Sequence, residues 1–361
     1  MNVFFFFNTE DSGVLWSYYH QYIVLAEGLT ELGIRCYGSR DMYQTAVGSN
    51  YLIRYDKNFP LADIDLAFFS SFNYHKNKKD GNKFIKQNIK CLSPNCKTIF
   101  IDESDGLRTP GFYKGAQMCD IVLKSHYSCK YNYPKNFRAW QFGITNRILD
   151  AVSPQIFEQR KNNFLVNFRP RHILRDLMNE LIKPIVCEYF IWDNTIDNFD
   201  IANFTSYDLL MFKQARGRHN PYFYKRLSEN KLSACYGGVP ATPFGNYNKY
   251  TAFIARKINN LLHLFKYDRV RQWDSWRLWE TWAAGSVAFH INFEKYGCVL
   301  PVMPKNGVDY IGIDLENPNE IKKYLKDNEQ LKFIAQNGRK FVLENYTPKI
   351  VAQRLLNMLK E

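Results

Sequence analysis

The stretch Trp273–Gly297, WDSWRLWETWAAGSVAFHINFEKYG, decides how the chain is read. Asp274 and Ser275 are N-cap residue types, Trp276, Leu278, Trp279, Trp282 and Ala283 give an apolar face at helical spacing, and Gly285 stops the helix. The apolar run Ser286–Ile291 that follows predicts a buried strand. A helix start offers unpaired backbone N–H groups and a partial positive charge, which suits a nucleotide diphosphate. Arg277 adds charge to that end, and Glu280, one turn on, is placed to accept hydrogen bonds from a ribose.

Outward from this segment the same alternation of apolar strand and amphipathic helix recurs. Val3–Phe7 (VFFFF) reads as a central parallel strand, Tyr18–Leu32 as a helix stopped by Gly33, and Ile34–Tyr37 as a second strand. The loop between them lacks the GxGxxG spacing of a nicotinamide or flavin site. Asp63–Ser71, Lys97–Asp102 and Asp120–Ser125 are further strands. Ligands of open α/β sheets bind beyond the carboxyl ends of strands, so Ser70, Ser71, Asp102, Glu103, Asp105, Ser125 and His126 should line one crevice. Asp102 and Asp105 are candidates for general base toward an acceptor hydroxyl, and His126 competes because a near-neutral pKa suits a base. Acids at strand ends also serve as helix caps or loop braces.

The pattern loosens around Pro134 and Pro154, which places an interdomain linker near 148–162. Phe164–Phe168 restarts a strand, and Arg169, Pro170, Arg171 and His172 lead into a helix from Ile173. Tyr207–Phe212 reads as strand or short helix, and Gly217 and Pro221 mark a turn with Arg218, His219 and Asn220 at its tip. By position these three could face a sugar or phosphate, with Arg218 the candidate ligand, although Arg and His on an exposed loop are more common than a site. Leu232–Gly238 is a strand ended by a double glycine, where Gly238 lets backbone approach a nucleotide base. Ala255–Phe265 is an amphipathic helix, Tyr310–Asp314 a strand, and helices are expected over Asn317–Leu331, Lys332–Asn345 and Ile350–Leu359.

The succession Arg277, Glu280, Ala283–Gly285, Val287–His290 resembles the donor-site segment of GT-B glycosyltransferases, especially the family 4 type and the related spore-coat-associated group. Those carry an Arg or Phe, then a Glu, then a small-residue A-x-G and a hydrophobic strand. Family 4 enzymes usually have a second acid eight positions before this Glu, and here Gln272 stands there. The resemblance implies an α/β chain of two Rossmann-like domains facing across a cleft. Residues 1–150 would form the acceptor side, 160–346 the donor side, and the terminal helix 347–361 would cross back onto the first domain. It implies acceptor contacts for Asp11, Trp16 and His20 in the first loop. It places Arg169 and Arg171, with Arg175 as a third choice, at the diphosphate, where the planar guanidinium fork binds two oxygens at once. The expected activity is transfer of a sugar from a nucleotide sugar to a carbohydrate or lipid-linked acceptor hydroxyl in surface glycan synthesis, with no metal and no other cofactor. Two rival expectations stand beside it: transfer onto modified DNA, and a non-catalytic sugar-nucleotide-binding protein.

Composition fits this picture. A chain of 361 residues can bury two cores, and 46% hydrophobic with 23% charged residues excludes a disordered chain. The net charge of +13 favours anionic partners: a phosphorylated donor, a lipid-linked acceptor at a membrane face, or nucleic acid. No apolar run reaches the ~20 residues of a membrane span. VFFFF runs into Glu10 and Asp11 without a basic lead, so it reads as a strand and not as a signal peptide, and the expected location is the cytoplasm, with the inner membrane face as a peripheral site. The eight cysteines are scattered and lack the spacing of a metal or disulfide framework. Asp63 and Asp65 flank a strand start and read as structural.

Overall fold

Aromatic side chains on both faces of one short strand require cover on both sides, and a central position between parallel neighbours supplies it. In the computed structural model, which describes residues 1–7, 19–74, 78–103, 114–167, 173–196, 200–241 and 267–360, the first strand β1 (Val3–Phe5) sits there. Its neighbours are β2 (Cys36–Gly38), where Val3 pairs with Cys36, and β5 (Leu66–Ser70), where Val3 pairs with Leu66. Phe5 stacks on Phe68 at 4.6 Å between ring centroids, and Phe6 stacks on Phe69 at 4.7 Å on the other face. With β3 (Met42–Gln44), β4 (Tyr51–Tyr55), β6 (Lys97–Asp102), β7 (Ile121–Lys124) and β8 (Phe137–Ala139), the order is β3-β4-β2-β1-β5-β6-β7-β8. Every pairing is parallel except the edge pair β3–β4.

The second sheet comprises β9 (Lys161–Leu165), β10 (Ile191–Asp193), β11 (Asn230–Ala234), β14 (Val287–Ile291) and β15 (Ile311–Ile313). Its order is β10-β9-β11-β14-β15, parallel throughout. A two-stranded antiparallel ribbon, β12 (Val239–Ala241) and β13 (Arg269–Arg271), stands beside it. Strand order reverses at β1 in the first sheet and between β9 and β11 in the second, so each sheet has a switch point at its carboxyl edge.

Helices α1 (His20–Glu31), α2 (Lys78–Ile89), α4 (Ile173–Val186), α5 (Ser206–Gln214) and α6 (Pro221–Glu229) fill the crossovers, and α3 (Asn146–Ala151) follows β8 on the way to the second sheet. The strand-or-helix expectation for Tyr207–Phe212 resolves as α5, whose cap Thr205 accepts a hydrogen bond from Asp208 N at 3.0 Å. The single helix expected over Asn317–Leu331 is broken. A 3-10 turn at Pro318–Ile321 and one turn at Lys322–Leu325 precede a new start, where the Asp327 carboxylate caps the helix Asn328–Asn345 by accepting from Gln330 N at 2.9 Å. The helix expected over Ala255–Phe265 lies outside the described residues.

The last helix, Pro348–Met358, crosses back and lies on α1. A Cβ placed on Gly28 would stand 1.9 Å from the Pro348 carbonyl oxygen and 2.8 Å from Ala352 Cβ. Glycine is what lets the two backbones meet. Among the described residues no helix is long and apolar enough to cross a membrane.

Candidate functional site

A helix that leads into a parallel strand runs back across the sheet, so it begins at the carboxyl edge. The helix Trp276–Ala283 leads into β14 and α6 leads into β11, while α4 leaves the carboxyl end of β9. Three helix starts therefore gather at the switch point of the second sheet, each offering N–H groups and positive potential.

Glu280 lies in this group and is only 1% exposed. Its Oε2 accepts from Arg277 Nη1 at 2.7 Å, and its Oε1 accepts from the Tyr224 hydroxyl at 3.3 Å. The Arg277 guanidinium lies 3.7 Å from the ring centroid of Phe223, and its side chain stays partly exposed. Tyr224 in turn accepts from Arg147 Nη1 at 2.9 Å, and the same nitrogen reaches His219 Nδ1 at 3.0 Å. Because Nδ1 faces a donor, His219 carries its proton on Nε2 and donates it to Asp208 Oδ1 at 2.9 Å. Burial holds this ring neutral, with its pKa pushed down to about 4. Arg175, in the first turn of α4, donates from Nε to Tyr236 O at 3.4 Å. Burial first, and the Arg277 charge second, push its pKa down to about 10.

One expectation for this lobe needs correction. Trp276 is half-buried and not a core residue: its ring stacks on His20 at 4.5 Å and carries the Arg218 guanidinium 5.4 Å from its centroid, joining the lobes. Gly238 has φ of +105°, and a Cβ there would stand 2.0 Å from the Arg271 carbonyl oxygen. The close approach that demands glycine here is to the backbone at the end of β13.

On the first lobe, Asp102 and Lys124 are partners across β6 and β7 and form a buried ion pair at 2.7 Å. Lys124 thereby holds one oxygen of this carboxylate, Oδ2. The adjacent Glu103 is also buried, and its Oε1 has no hydrogen-bond partner among the described residues. Burial, with the Asp102 charge adding to it, raises its pKa well above the usual carboxylate range. His126 has φ of +53°, and its Nδ1 accepts from Asp274 N at 3.0 Å. His20 Nε2 lies 3.1 Å from Gly143 O, and burial pushes its pKa down to about 3.

The lobes meet through fixed contacts. Asp274 Oδ2 accepts from Phe142 N at 2.8 Å while Oδ1 accepts from Trp279 Nε1 at 2.8 Å, and burial pushes this carboxyl up to about 7. Cys129 N donates to Gly297 O at 2.9 Å and Val299 N to Tyr127 O at 3.1 Å, a short ladder between the lobes. On the opposite side Gln44 and Gln214 exchange two hydrogen bonds, at 2.6 and 2.9 Å.

Of the residues singled out from sequence, Asp11, Trp16, Asp105, Arg169 and Arg171 lie outside the described residues. The structure brings Arg277, Glu280 and Arg175 together on the second lobe, and His20, Arg218 and His126 to the lobe junction. Sequence reasoning missed Arg147 and Tyr224. Arg147 meets partners 72 and 77 positions away, so no local spacing announces it, although Pro221 at the start of α6 does fix Tyr224 one turn into a helix. Among the described residues no cluster of three or more His, Cys, Asp or Glu could hold a metal ion.

No family model and no curated protein matches the chain. Solved structures do. An alpha-glucosyltransferase in complex with UDP and a 13-mer DNA containing a HMU base aligns with a TM-score of 0.56 and 9% identity, over 100% of both chains. The fold is GT-B. An alpha-glucosyltransferase in complex with UDP-glucose and DNA containing an abasic site gives a TM-score of 0.55 at 8% identity, over 100% of this chain and 99% of that one. Anabaena Alr3699/HepE in complex with UDP-glucose gives 0.51 at 12% identity, again over 100% and 99%. At such identities the likeness concerns the fold.

Proposed function

We propose that this chain is a glycosyltransferase that moves a sugar from a nucleotide-sugar donor to an acceptor hydroxyl across the cleft. The observation that carries this reading is the convergence of Arg175, Arg277 and Glu280 with three helix starts at the switch point of the second sheet. Arg277 and Arg175, with Arg169 and Arg171 between β9 and α4 in the sequence, would take the negative charge that grows on the leaving diphosphate, the task a metal ion performs elsewhere. Glu280 would hold the ribose. Toward the acceptor we put Asp105 first, because Asp102 is engaged by Lys124 and His126 by Asp274. His20, Asp11 and Trp16 would shape the acceptor side, and the division between domains 1–150 and 160–346 would fall within the linker near 148–162. Kinship with family 4 and spore-coat-associated enzymes rests on the order Arg277, Glu280, Ala283, Gly285. A cytoplasmic chain working on a carbohydrate or lipid-linked acceptor at the membrane face suits the net charge of +13.

The test is a thermal-shift panel of nucleoside diphosphates and nucleotide sugars. A ligand at 100 times its Kd stabilises the folded state by about 2.7 kcal/mol. A panel in which every compound leaves Tm unchanged would remove the proposal. Turnover of the binding donor, lost in Arg277→Ala, separates a transferase from a non-catalytic binding protein.

A second reading, with DNA as acceptor, is favoured by the same charge and by the DNA in the alpha-glucosyltransferase complexes. Retention on duplex DNA that falls steeply with salt supports it, and flow-through at low salt rejects it.

A further inference from the structure

The carboxylate assigned to the ribose is already occupied. Glu280 is enclosed, one oxygen held by Arg277 at 2.7 Å and the other by Tyr224 at 3.3 Å. The two contacts differ in kind. The first is a short charge-assisted pair within one helix, and the second is a long hydrogen bond from a neutral hydroxyl on a different element. A ribose hydroxyl is also a neutral O–H donor, so it can replace the phenol on Oε1 without changing the charge or the donor count around the carboxylate. Tyr224 has somewhere to turn: its hydroxyl lies 3.5 Å from Arg218 O, and Arg147 Nη1 donates to its oxygen from the other side.

We infer that Tyr224 is a positioning residue that keeps the ribose's place on Glu280 in the empty protein and yields it when the nucleotide enters. The inference rests on the reading of Glu280 given above. Arg147 belongs to α3, just before the linker, so the group that holds Tyr224 comes from the first lobe. The state of the ribose contact is thereby tied to the junction between the lobes. The hydrogen bonds from Arg147 through His219 to Asp208 keep the guanidinium, and with it the tyrosine, in one orientation.

The experiment compares wild type with Tyr224→Phe by calorimetric titration with UDP and with 2′,3′-dideoxy-UDP. Removing the hydroxyl removes a contact that the ribose must otherwise break, so the variant should bind UDP about five- to tenfold more tightly. The gain should vanish for the dideoxy nucleotide, which has no hydroxyl to place on Oε1. A tyrosine that only satisfies a buried carboxylate predicts equal or weaker binding of both nucleotides, and that result overturns the inference. Should the variant fail to fold, a crystal structure of the wild-type UDP complex decides. A ribose hydroxyl on Glu280 with Tyr224 turned away supports the inference, and Tyr224 still on Oε1 overturns it while leaving nucleotide binding intact. Failure of wild type to bind UDP or any other nucleoside diphosphate would instead remove the function proposed above, and this inference with it.

Discussion

Replacing Gly28 by alanine tests the element that closes the fold, the last helix lying on α1. The added Cβ would stand 1.9 Å from Pro348 O, 2.4 Å from Pro348 C and 2.8 Å from Ala352 Cβ. Carbon and oxygen rest at about 3.3 Å, so the helix would have to retreat by roughly 1.4 Å. Overpacking of this kind costs about 1–3 kcal/mol. Full release of the helix sets a ceiling, since Val351 and Leu355 are buried and each would lose about 1.5–3 kcal/mol on exposure. Against this, alanine is favoured over glycine inside a helix by about 1 kcal/mol. A clash with backbone at 1.9 Å puts the overpacking cost at the upper end of that range, so the expected net loss is about 2 kcal/mol, read as a lower urea midpoint together with faster proteolysis of the last helix. Equal or greater stability of Gly28→Ala would mean that the two helices do not meet as described, and the reasoning about the crossing helix would fall.

Further tests follow from buried charges. Lys124→Met strands the Asp102 carboxylate in the first core and should cost about 3–5 kcal/mol, whereas Lys124→Met combined with Asp102→Leu should recover most of it; chemical denaturation of the three proteins checks the pattern. Asp274 is raised in the folded state from 3.8 to about 7, so the folded form holds a proton that the unfolded form gives up. Its contribution is complete below pH 4 and is lost as pH rises through 7, a change on the order of 4 kcal/mol. Glu27, raised to about 8, acts in the same direction, while His219 and His290, both lowered to about 4, act oppositely and only below about pH 6.5. The difference between wild type and Asp274→Asn in urea midpoint should therefore narrow from pH 5 to pH 8, and a constant difference would contradict it. Arg277→Ala leaves Glu280 buried without its cation, which should lower Tm and abolish any nucleotide-induced shift; an unchanged shift would place the nucleotide elsewhere.

What could be read from the chain alone follows the range of the forces involved. VFFFF, KTIFID and the helix-glycine-strand segment announce themselves because burial on two faces and helix stopping are local effects, written in adjacent residues. The lobe junction is not local. His126 looked like a base because its type and place suit one, yet its Nδ1 is spent on Asp274 N, 148 positions away. Asp102 looked like a strand-end acid open to the cleft, yet parallel register sets Lys124 beside it. Only the pairing of β6 with β7 reveals that neighbour. Trp276 satisfied a helical apolar pattern, and the pattern could not distinguish a face packed on its own sheet from one packed on the other lobe's His20.

The same distinction bears on Glu280, which sequence placed at a ribose and the structure encloses. A buried carboxylate beside a cation is often a structural clamp, and Arg277 and Tyr224 would suffice for that. The surroundings argue for more than a clamp. Burial first, and the charge of Arg277 second, lower the pKa of Arg175, and the second of these is a repulsion that a purely structural design gains nothing from keeping. Both guanidiniums lie where helix starts already make the potential positive. On the reading proposed above, a bound diphosphate would relieve the repulsion and satisfy the helix ends at once. Positive charge gathered ahead of its ligand destabilises the empty protein and stabilises the filled one, so the cluster predicts that Arg175→Met raises the Tm of the free chain while lowering its affinity for UDP. A variant that loses stability without losing affinity would identify Arg175 as part of the frame alone.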